Sequence, residues 1–283
     1  MNEQKAVFPQ WRYRACDGAV IWRLMFTETG MIVGQTRLPE QRRSLFFSLA
    51  EHSGQVQFDD FMPMAPDGTA AGESWFTGIE TVAGKLVFLH AYRDNSPEHL
   101  GIWAVDASAG TVVWSRADMV FCGVLDEGFL VYRHSSFAGF HERHYLILDP
   151  ATGREVRRPG QESEEVNRLR AGILPEEQRQ GVVLPEFTDS NDSRNASLFS
   201  RDAGFAGRCE ALCSGSLAVA ACHDYDETTG KWQSLLRVRL HGVPVYEDAM
   251  AESSVRPAVS SFLVHGGSVY YIKGESELVA LKT

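Results

Sequence analysis

Carboxylates inside apolar segments are the first side chains in this sequence whose type and placement could carry chemistry. Glu80 and Glu210 each interrupt a run of apolar and β-branched residues that is typical of a strand. Two carboxyl groups about 5–9.5 Å apart can hydrolyse a glycosidic bond, one as the acid and the other as base or nucleophile. Glu80 and Glu210 are therefore the residues to test in the hydrolase hypothesis, which is one of two functional hypotheses.

Histidines and aspartates form a second group of candidates. His90, His134 and His223 each lie near the end of a strand-like run, and aspartates follow two of them. Histidine is the usual metal ligand and proton shuttle near neutral pH. The residues that we expect at a ligand or partner site are His90, Asp94, His134, His223, Asp224 and Asp226.

These candidates lie in a repeated pattern of short strands. In the clearest unit, residues 84–116, three apolar runs (85–92, 100–106 and 111–116) are separated by turns. Two glycines, 24 to 27 residues apart, bracket the same pattern four times, in the pairs Gly30/Gly54, Gly84/Gly110, Gly128/Gly153 and Gly215/Gly242. A further strand precedes each pair, so that each unit has the four strands of one propeller blade.

A fifth unit begins at residue 260 and has only three strands before the sequence ends. Residues 10–15 form a spare strand ahead of the first unit. Pairing this strand into the last unit would protect two exposed sheet edges. The sequence therefore predicts an all-β fold: a single β-propeller domain over residues 1–283, with five four-stranded blades and the last blade closed by the N-terminal strand.

Two segments carry a resemblance to a known family. Residues 102–114 (IWAVDASAGTVVW) and 145–156 (YLILDPATGREV) have an Asp-x-x-x-Gly turn before an apolar last strand. They resemble the PQQ-like repeat of bacterial quinoprotein-like β-propellers. The resemblance covers about two blades and implies a fold rather than an activity. Quinone-dependent dehydrogenases of this class use an adjacent cysteine pair, which this sequence lacks, so we expect no cofactor.

Charge and hydropathy exclude several classes of partner. A net charge of −10 argues against binding to a nucleic-acid backbone. No apolar run approaches the roughly 18 residues that a membrane span needs, and the first residues lack a signal-peptide core. Five cysteines at irregular spacing make a poor disulfide framework. We therefore expect a cytoplasmic protein whose partner is another protein or a small molecule of unknown identity.

The predicted connections between strands divide into a short set and a long set. The glycine turns are short, whereas the connections at the other ends of the strands vary in length and include residues 62–74, 93–99, 135–143, 159–208 and 224–231. In four-stranded blades these longer connections share one face, and binding residues concentrate in such loops. The leading hypothesis is a non-enzymatic binding or scaffold module that uses this loop-rich face.

Residues 159–208 break the repeat and form a long insertion. A short amphipathic helix is expected near residues 162–170, with Val166 on its apolar side. We consider a covering loop, a partner-binding lid and a small extra blade from residues 182–187 and 196–200.

Metal binding is not the expected role of the histidines. The loops would bring three more of them to the same face: His99, His141 and His144. Histidines on the second strands of different blades would not converge, because those strands lie away from the centre. Cys209 and Cys213 near His223 raise a zinc alternative, but a closed zinc site needs four ligands in hairpin-like spacing. We expect hydrogen-bonded strand-end histidines, buried free cysteines and no metal.

Overall fold

The computed structural model of the chain describes residues 7–65, 67–93, 96–137, 140–160, 163–188 and 208–283. The described residues form antiparallel sheets with two short helices, so the all-β prediction is confirmed. The chain divides into two compact units, residues 18–180 and residues 1–17 with 181–283. No helix in the described ranges is long and apolar enough to cross a membrane.

In chain order the elements of the described residues are β1 (Pro9–Arg14), β2 (Val20–Phe26), β3 (Met31–Leu38), β4 (Arg43–Ala50), β5 (Val56–Phe61), β6 (Thr77–Ala83), β7 (Leu86–Tyr92), β8 (His99–Asp106), β9 (Thr111–Arg116), β10 (Val120–Leu125), β11 (Gly128–Phe137), β12 (Phe140–Leu148), β13 (Glu155–Gly160), α1 (Ser163–Ala171), α2 (Glu176–Gln180), β14 (Glu186–Thr188), β15 (Arg208–Ser214), β16 (Leu217–Asp226), β17 (Lys231–Leu240), β18 (Val243–Ser254), β19 (Phe262–His265), β20 (Ser268–Lys273) and β21 (Glu277–Lys282).

The unit of residues 18–180 contains three four-stranded sheets. Their strand orders are β2-β3-β4-β5, β6-β7-β8-β9 and β10-β11-β12-β13, and we call them the first, second and third sheets. Each is an antiparallel meander in which neighbours in sequence are neighbours in the sheet. The eight glycines that the repeat placed in turns all have positive φ, from 56° to 140°. This backbone conformation favours glycine, which explains the spacing of the glycine pairs.

The other unit contains the fourth sheet, β14-β15-β16-β17-β18, and the fifth, β1-β21-β20-β19. The predicted pairing of the N-terminal strand is present, because β1 lies antiparallel to β21 with Trp11 opposite Ala280. The expectation of four strands in every sheet is wrong for the fourth sheet, where Glu186 of the insertion pairs with Ala211. Of the proposed extra blade, residues 196–200 lie outside the described residues.

Within each unit, successive sheets pack face to face. Strands β4 and β7 bury residues of both faces almost throughout, whereas β5 and β9 are largely exposed. The first and second sheets share one apolar core, and the second and third share another, in which the rings of Phe88 and Phe129 lie 4.5 Å apart. A third core joins the fourth and fifth sheets. Burial on both faces explains why the middle strands read as continuous apolar runs.

Two predicted loops are strand extensions instead. β11 and β12 remain paired out to Phe137 and Phe140, and β16 and β17 out to Asp226 and Lys231. Aromatic cross-strand packing favours the second extension, where the rings of Tyr225 and Trp232 lie 5.0 Å apart. Residues 135–143 and 224–231 are therefore mostly hairpin, with only short turns between the strands.

The insertion begins as a cover over the third sheet. The predicted helix is present as α1, with Val166 buried. A Cβ at Gly123 of β10 would lie 2.4 Å from the end of the Ile173 side chain, so this glycine leaves the space that Ile173 occupies. The first part of the insertion therefore packs as a covering segment.

Candidate functional site

A carboxylate and two imidazoles meet in the second sheet. Oε2 of Glu80 lies 2.8 Å from Nδ1 of His90 and 2.7 Å from Nδ1 of His99. The two imidazole rings are stacked, with centroids 3.6 Å apart and planes 10° from parallel. One potential ligand atom from each residue lies within 4.8 Å of the other two. We call these three side chains the Glu80 cluster.

Three neighbouring strands position the Glu80 cluster. The pairing of β6 with β7 skips one residue at Glu80, and such a bulge changes the direction of a side chain. His90 of β7 lies opposite Gly78, where a Cβ would come within 2.7 Å of the Nε2 atom of His90. Glycine at residue 78 therefore leaves room for the imidazole. His99 is the first residue of β8, and its side chain is 32% exposed.

Burial and hydrogen bonding set the charges of the cluster. Burial alone would raise the pKa of Glu80, but hydrogen bonds and charges of His90 and His99 lower this pKa to about 2. Burial lowers the pKa of His90, against an opposing effect of Glu80. At neutral pH the carboxyl group is therefore charged and His90 is neutral.

The buried ring of His90 is poorly satisfied. His90 as a whole residue is only 3% exposed. Among the described residues neither ring nitrogen has a well-formed hydrogen bond, although Nδ1 lies 2.8 Å from Oε2 of Glu80. A hydrogen bond is weak when its angle is unfavourable, even where the two heavy atoms are close together. A buried polar group left in this state calls for a further partner or a functional role.

A second polar network surrounds Glu98, in the loop before β8. The Tyr132 hydroxyl donates a hydrogen bond to Oε1 of Glu98, and Nε2 of His134 lies 3.1 Å from Oε2. Guanidinium nitrogens of Arg93 and Arg143 lie 3.5 and 3.6 Å from the same carboxylate. The hydrogen bond from Tyr132 is the largest cause of the lowered pKa of Glu98. The predicted site residue His134 thus belongs to an ion-pair network that joins the second and third sheets.

A cavity of about 820 Å³ lies where the chain leaves β3 and β7, on the side of the longer connections. Arg37, Trp75, Tyr92 and Arg93 line it. The guanidinium of Arg37 lies 4.8 Å from the ring centre of Trp22 and 5.0 Å from that of Trp75. Cation–π contacts hold a guanidinium in place without neutralising its charge. Nε of Arg37 is buried and has no hydrogen-bond partner in the described part of the chain.

One wall of the cavity is a left-handed turn. Gly72, Glu73 and Ser74 have φ values of 53°, 52° and 60° in succession. Residues other than glycine are strained in this left-handed conformation. Such strain persists where the surrounding structure fixes the backbone, and it is common at binding and active sites. Tyr92, on another wall, contacts both imidazoles of the Glu80 cluster edge-on, with ring centres 5.1 and 4.9 Å apart.

Glu210, the second carboxylate of the hydrolase hypothesis, lies in the other compact unit within a closed network. Both its oxygens accept hydrogen bonds from the backbone N–H of Ser260, at 2.9 and 2.8 Å. Its Oε2 lies 3.3 Å from Nε2 of His223, whose Nδ1 lies 2.9 Å from Oγ of Ser234. Glu210, His223 and Ser234 are each 1% exposed. This network satisfies its own polar atoms and leaves no exposed carboxylate for a substrate.

The predicted aspartates are a mixed group. Asp226 is a turn residue, since its carboxylate accepts hydrogen bonds from the Thr228 backbone N–H and the Thr229 hydroxyl, both at 2.8 Å. Asp224 is an exposed residue of β16. Asp94 lies outside the described residues. The candidate set is thus divided among the Glu80 cluster, the Glu98 network, the Glu210 network and a hairpin turn.

The cysteines near His223 are spread along two strands. Cys209 and Cys222 face each other with their sulfur atoms 3.2 Å apart, and both are buried thiols. Cys213 is exposed and lies four residues further along β15, which is about 13 Å in a strand.

Sequence reasoning missed several residues of these sites. Glu98 and Tyr132 have no spacing signal, because they meet through contact between two sheets. Arg37 did offer a sequence signal, because it is a charged residue near the end of a strand whose other residues are buried. His99 was recognised only as a loop histidine, because its position beside His90 depends on the register of β7 and β8.

The chain is similar to one family model and to solved structures of other proteins. A family model described as a domain of unknown function, DUF4905, matches residues 26–114, which hold most of the first and second sheets. No curated protein matches. Among solved structures, acylaminoacyl peptidase of Pyrococcus horikoshii, in an orthorhombic crystal form, is similar with 9% identity and a TM-score of 0.29. That match covers 90% of this chain and 36% of the peptidase chain.

Proposed function

We propose that this chain is a non-enzymatic cytoplasmic binding module built on a quinoprotein-like, five-bladed β-propeller. Five antiparallel sheets among the described residues support this architecture, as does the place of β1 in the fifth sheet, where it would complete the last blade. The five cysteines at irregular spacing, a poor disulfide framework, are the support for a reducing compartment. The binding site of the proposed module is the cavity lined by Arg37 and Trp75, on the loop-rich side.

The ligand that suits this cavity is a small organic anion with a planar apolar part. The observation that carries this proposal is the guanidinium of Arg37, held between Trp22 and Trp75 with a buried Nε that lacks a partner in the described chain. A carboxylate or phosphate accepts paired hydrogen bonds from a guanidinium fork. Aromatic walls at Trp75 and Tyr92 would pack against the planar part.

Ligand binding is tested with three probes of similar shape: benzoate, phenyl phosphate and the neutral benzamide. We expect one of the anions to raise the melting temperature and to bind in calorimetry, and benzamide to bind at least tenfold more weakly. Arg37→Gln should weaken anion binding by at least tenfold, about 1.4 kcal/mol. Arg43→Ala is the matched control, because Arg43 is an exposed arginine at the start of the neighbouring strand β4.

Equal binding of benzamide and benzoate, or full anion affinity in Arg37→Gln, would contradict the proposed anion site. A panel of aryl glycosides tests the hydrolase alternative with the same protein. The low pKa of Glu80 opposes a role as general acid, which must hold a proton at working pH. Hydrolysis that is abolished by Glu80→Gln or by Glu210→Gln would replace the binding-module proposal with the hydrolase.

A further inference from the structure

We propose that Glu80, His90 and His99 form a binding site for a divalent transition-metal ion such as Zn²⁺ or Co²⁺. The ion would be bound by one carboxylate oxygen and by the Nδ1 atoms of the two imidazoles. One potential ligand atom of each residue lies within 4.8 Å of the other two, and Oε2 of Glu80 lies 2.8 and 2.7 Å from the Nδ1 atoms of His90 and His99. Two imidazoles with one carboxylate are a donor set that zinc accepts, leaving a fourth position for water or another ligand.

The site arises inside a single sheet. Histidines of different blades are held apart by the rotation between blades, but His90 and His99 belong to the adjacent strands β7 and β8. Tyr92 pairs with His99 across these strands, which brings the start of β8 beside the end of β7. The bulge of β6 then directs Glu80 to the same place.

The buried ring of His90 is a second observation, separate from the clustering of the three side chains, that points to a bound ligand. Its side chain is 4% exposed, and neither ring nitrogen has a well-formed hydrogen bond among the described residues. A metal ion at Nδ1 would satisfy one of these atoms. Neutral imidazole and ionised carboxylate are the forms of these side chains that bind metals. An imidazole that carries its proton on Nδ1 loses this proton to water and takes one up at Nε2, so the number of protons is unchanged and the binding step needs no reactant besides solvent.

Metal binding requires one movement. A ligand nitrogen binds metal in the plane of its ring, and two rings that stack 3.6 Å apart cannot both do so. His99 must therefore turn out of the stack, and its 32% exposure leaves it less constrained than His90. Tetrahedral coordination at about 2.0–2.1 Å places ligand atoms about 3.3 Å apart, so the present distances need to open by about 0.5 Å.

The experiment uses the full chain, stripped with a chelator and titrated with Co²⁺. We expect one Co²⁺ per chain, with visible absorption bands of a four- or five-coordinate ion, and competition by Zn²⁺. His99→Ala and Glu80→Gln should each weaken binding at least tenfold. His52→Ala, at an exposed histidine in the turn after β4, is the matched control and should bind as the wild type does.

Circular dichroism of each variant shows whether it is folded before its affinity is measured. Absence of stoichiometric Co²⁺ binding, or unchanged affinity in His99→Ala, would overturn the metal site. Arg37→Gln should retain Co²⁺ binding even where it loses the anion. Failure of the metal site is therefore separable from failure of the proposed anion site.

Discussion

The N-terminal strand β1 should contribute several kcal/mol to the free energy of unfolding, and Trp11→Ala tests this. Trp11 is 8% exposed and packs against Tyr270, with ring centres 6.0 Å apart. A tryptophan buries about 150–250 Å², worth about 4–6 kcal/mol at about 25 cal/mol per Å². Residual burial in the denatured chain reduces this by about 10–40%, which leaves about 2–5 kcal/mol.

Urea denaturation followed by circular dichroism provides the measurement. Phe8→Ala is the matched control, because Phe8 is an aromatic residue next to the same strand and is 76% exposed. We expect this control to change the free energy of unfolding by less than about 0.5 kcal/mol. A loss below about 1 kcal/mol in Trp11→Ala would refute the estimate from buried area.

Removal of residues 1–15 is the stronger form of the same perturbation. It removes Trp11 and Tyr13 from the core and exposes the edge of β21, to which five residues of β1 are paired. A bare edge strand promotes association between chains. We expect a lower melting temperature and aggregation that the full chain does not show. A truncated chain that melts as the full chain does would disprove the role of β1 in stabilising the fifth sheet.

Three further predictions concern the interior and the charges of the unit of residues 18–180. Gly34→Ala should cost at least about 1–3 kcal/mol in urea denaturation, because its Cβ would lie 1.9 Å from the buried ring of Phe47; an unchanged midpoint would contradict this contact. The free energy of unfolding should fall as the pH decreases below about 6.5, because His90 takes up a proton in the unfolded chain that it resists in the folded state. It should fall again between about pH 4.5 and pH 2, because Glu80 is protonated at a higher pH in the unfolded chain than in the folded one, and Glu80→Gln should flatten this second decrease. A urea midpoint that does not change with pH would contradict this prediction. Asp106→Asn should lower the free energy of unfolding by about 1–3 kcal/mol at neutral pH and by less in acid. The reason is that the ionised carboxylate accepts hydrogen bonds from the side chains of Lys85 and Ser108 and from the backbone N–H groups of Ser108 and Ala109. An equal loss at both pH values would argue against the ionised form.

Much of the fold was predictable from local chemistry. Turn glycines such as Gly84 and Gly110 report a backbone requirement that acts over a few residues, so their spacing revealed the hairpins. Continuous apolar runs such as β4 and β7 report burial on both faces, which any neighbouring sheet imposes. The deficit of one strand in the last unit and the surplus near the start predicted the pairing of β1 with β21.

The longer connections were predicted less well. Strand extension in β11, β12, β16 and β17 depends on cross-strand partners, and polar residues of a twisted hairpin look like a loop in sequence. The fifth strand of the fourth sheet forms where Glu186 pairs with Ala211, and Val183, just before it, forms a bridge to Val264 far along the chain. Local propensity carries no information on such a partner.

The sequence by itself determined most of the strands and which side chains are available for chemistry, including His90, His134 and both candidate glutamates. Only the tertiary structure decided their grouping: Glu80 with two stacked imidazoles, Glu210 in a closed core network, and Arg37 at a cavity wall. The physical reason is the distance along the chain over which the interactions act. Strand and turn formation follow from interactions of near neighbours, whereas a site requires strand register, a bulge and the close approach of separate strands.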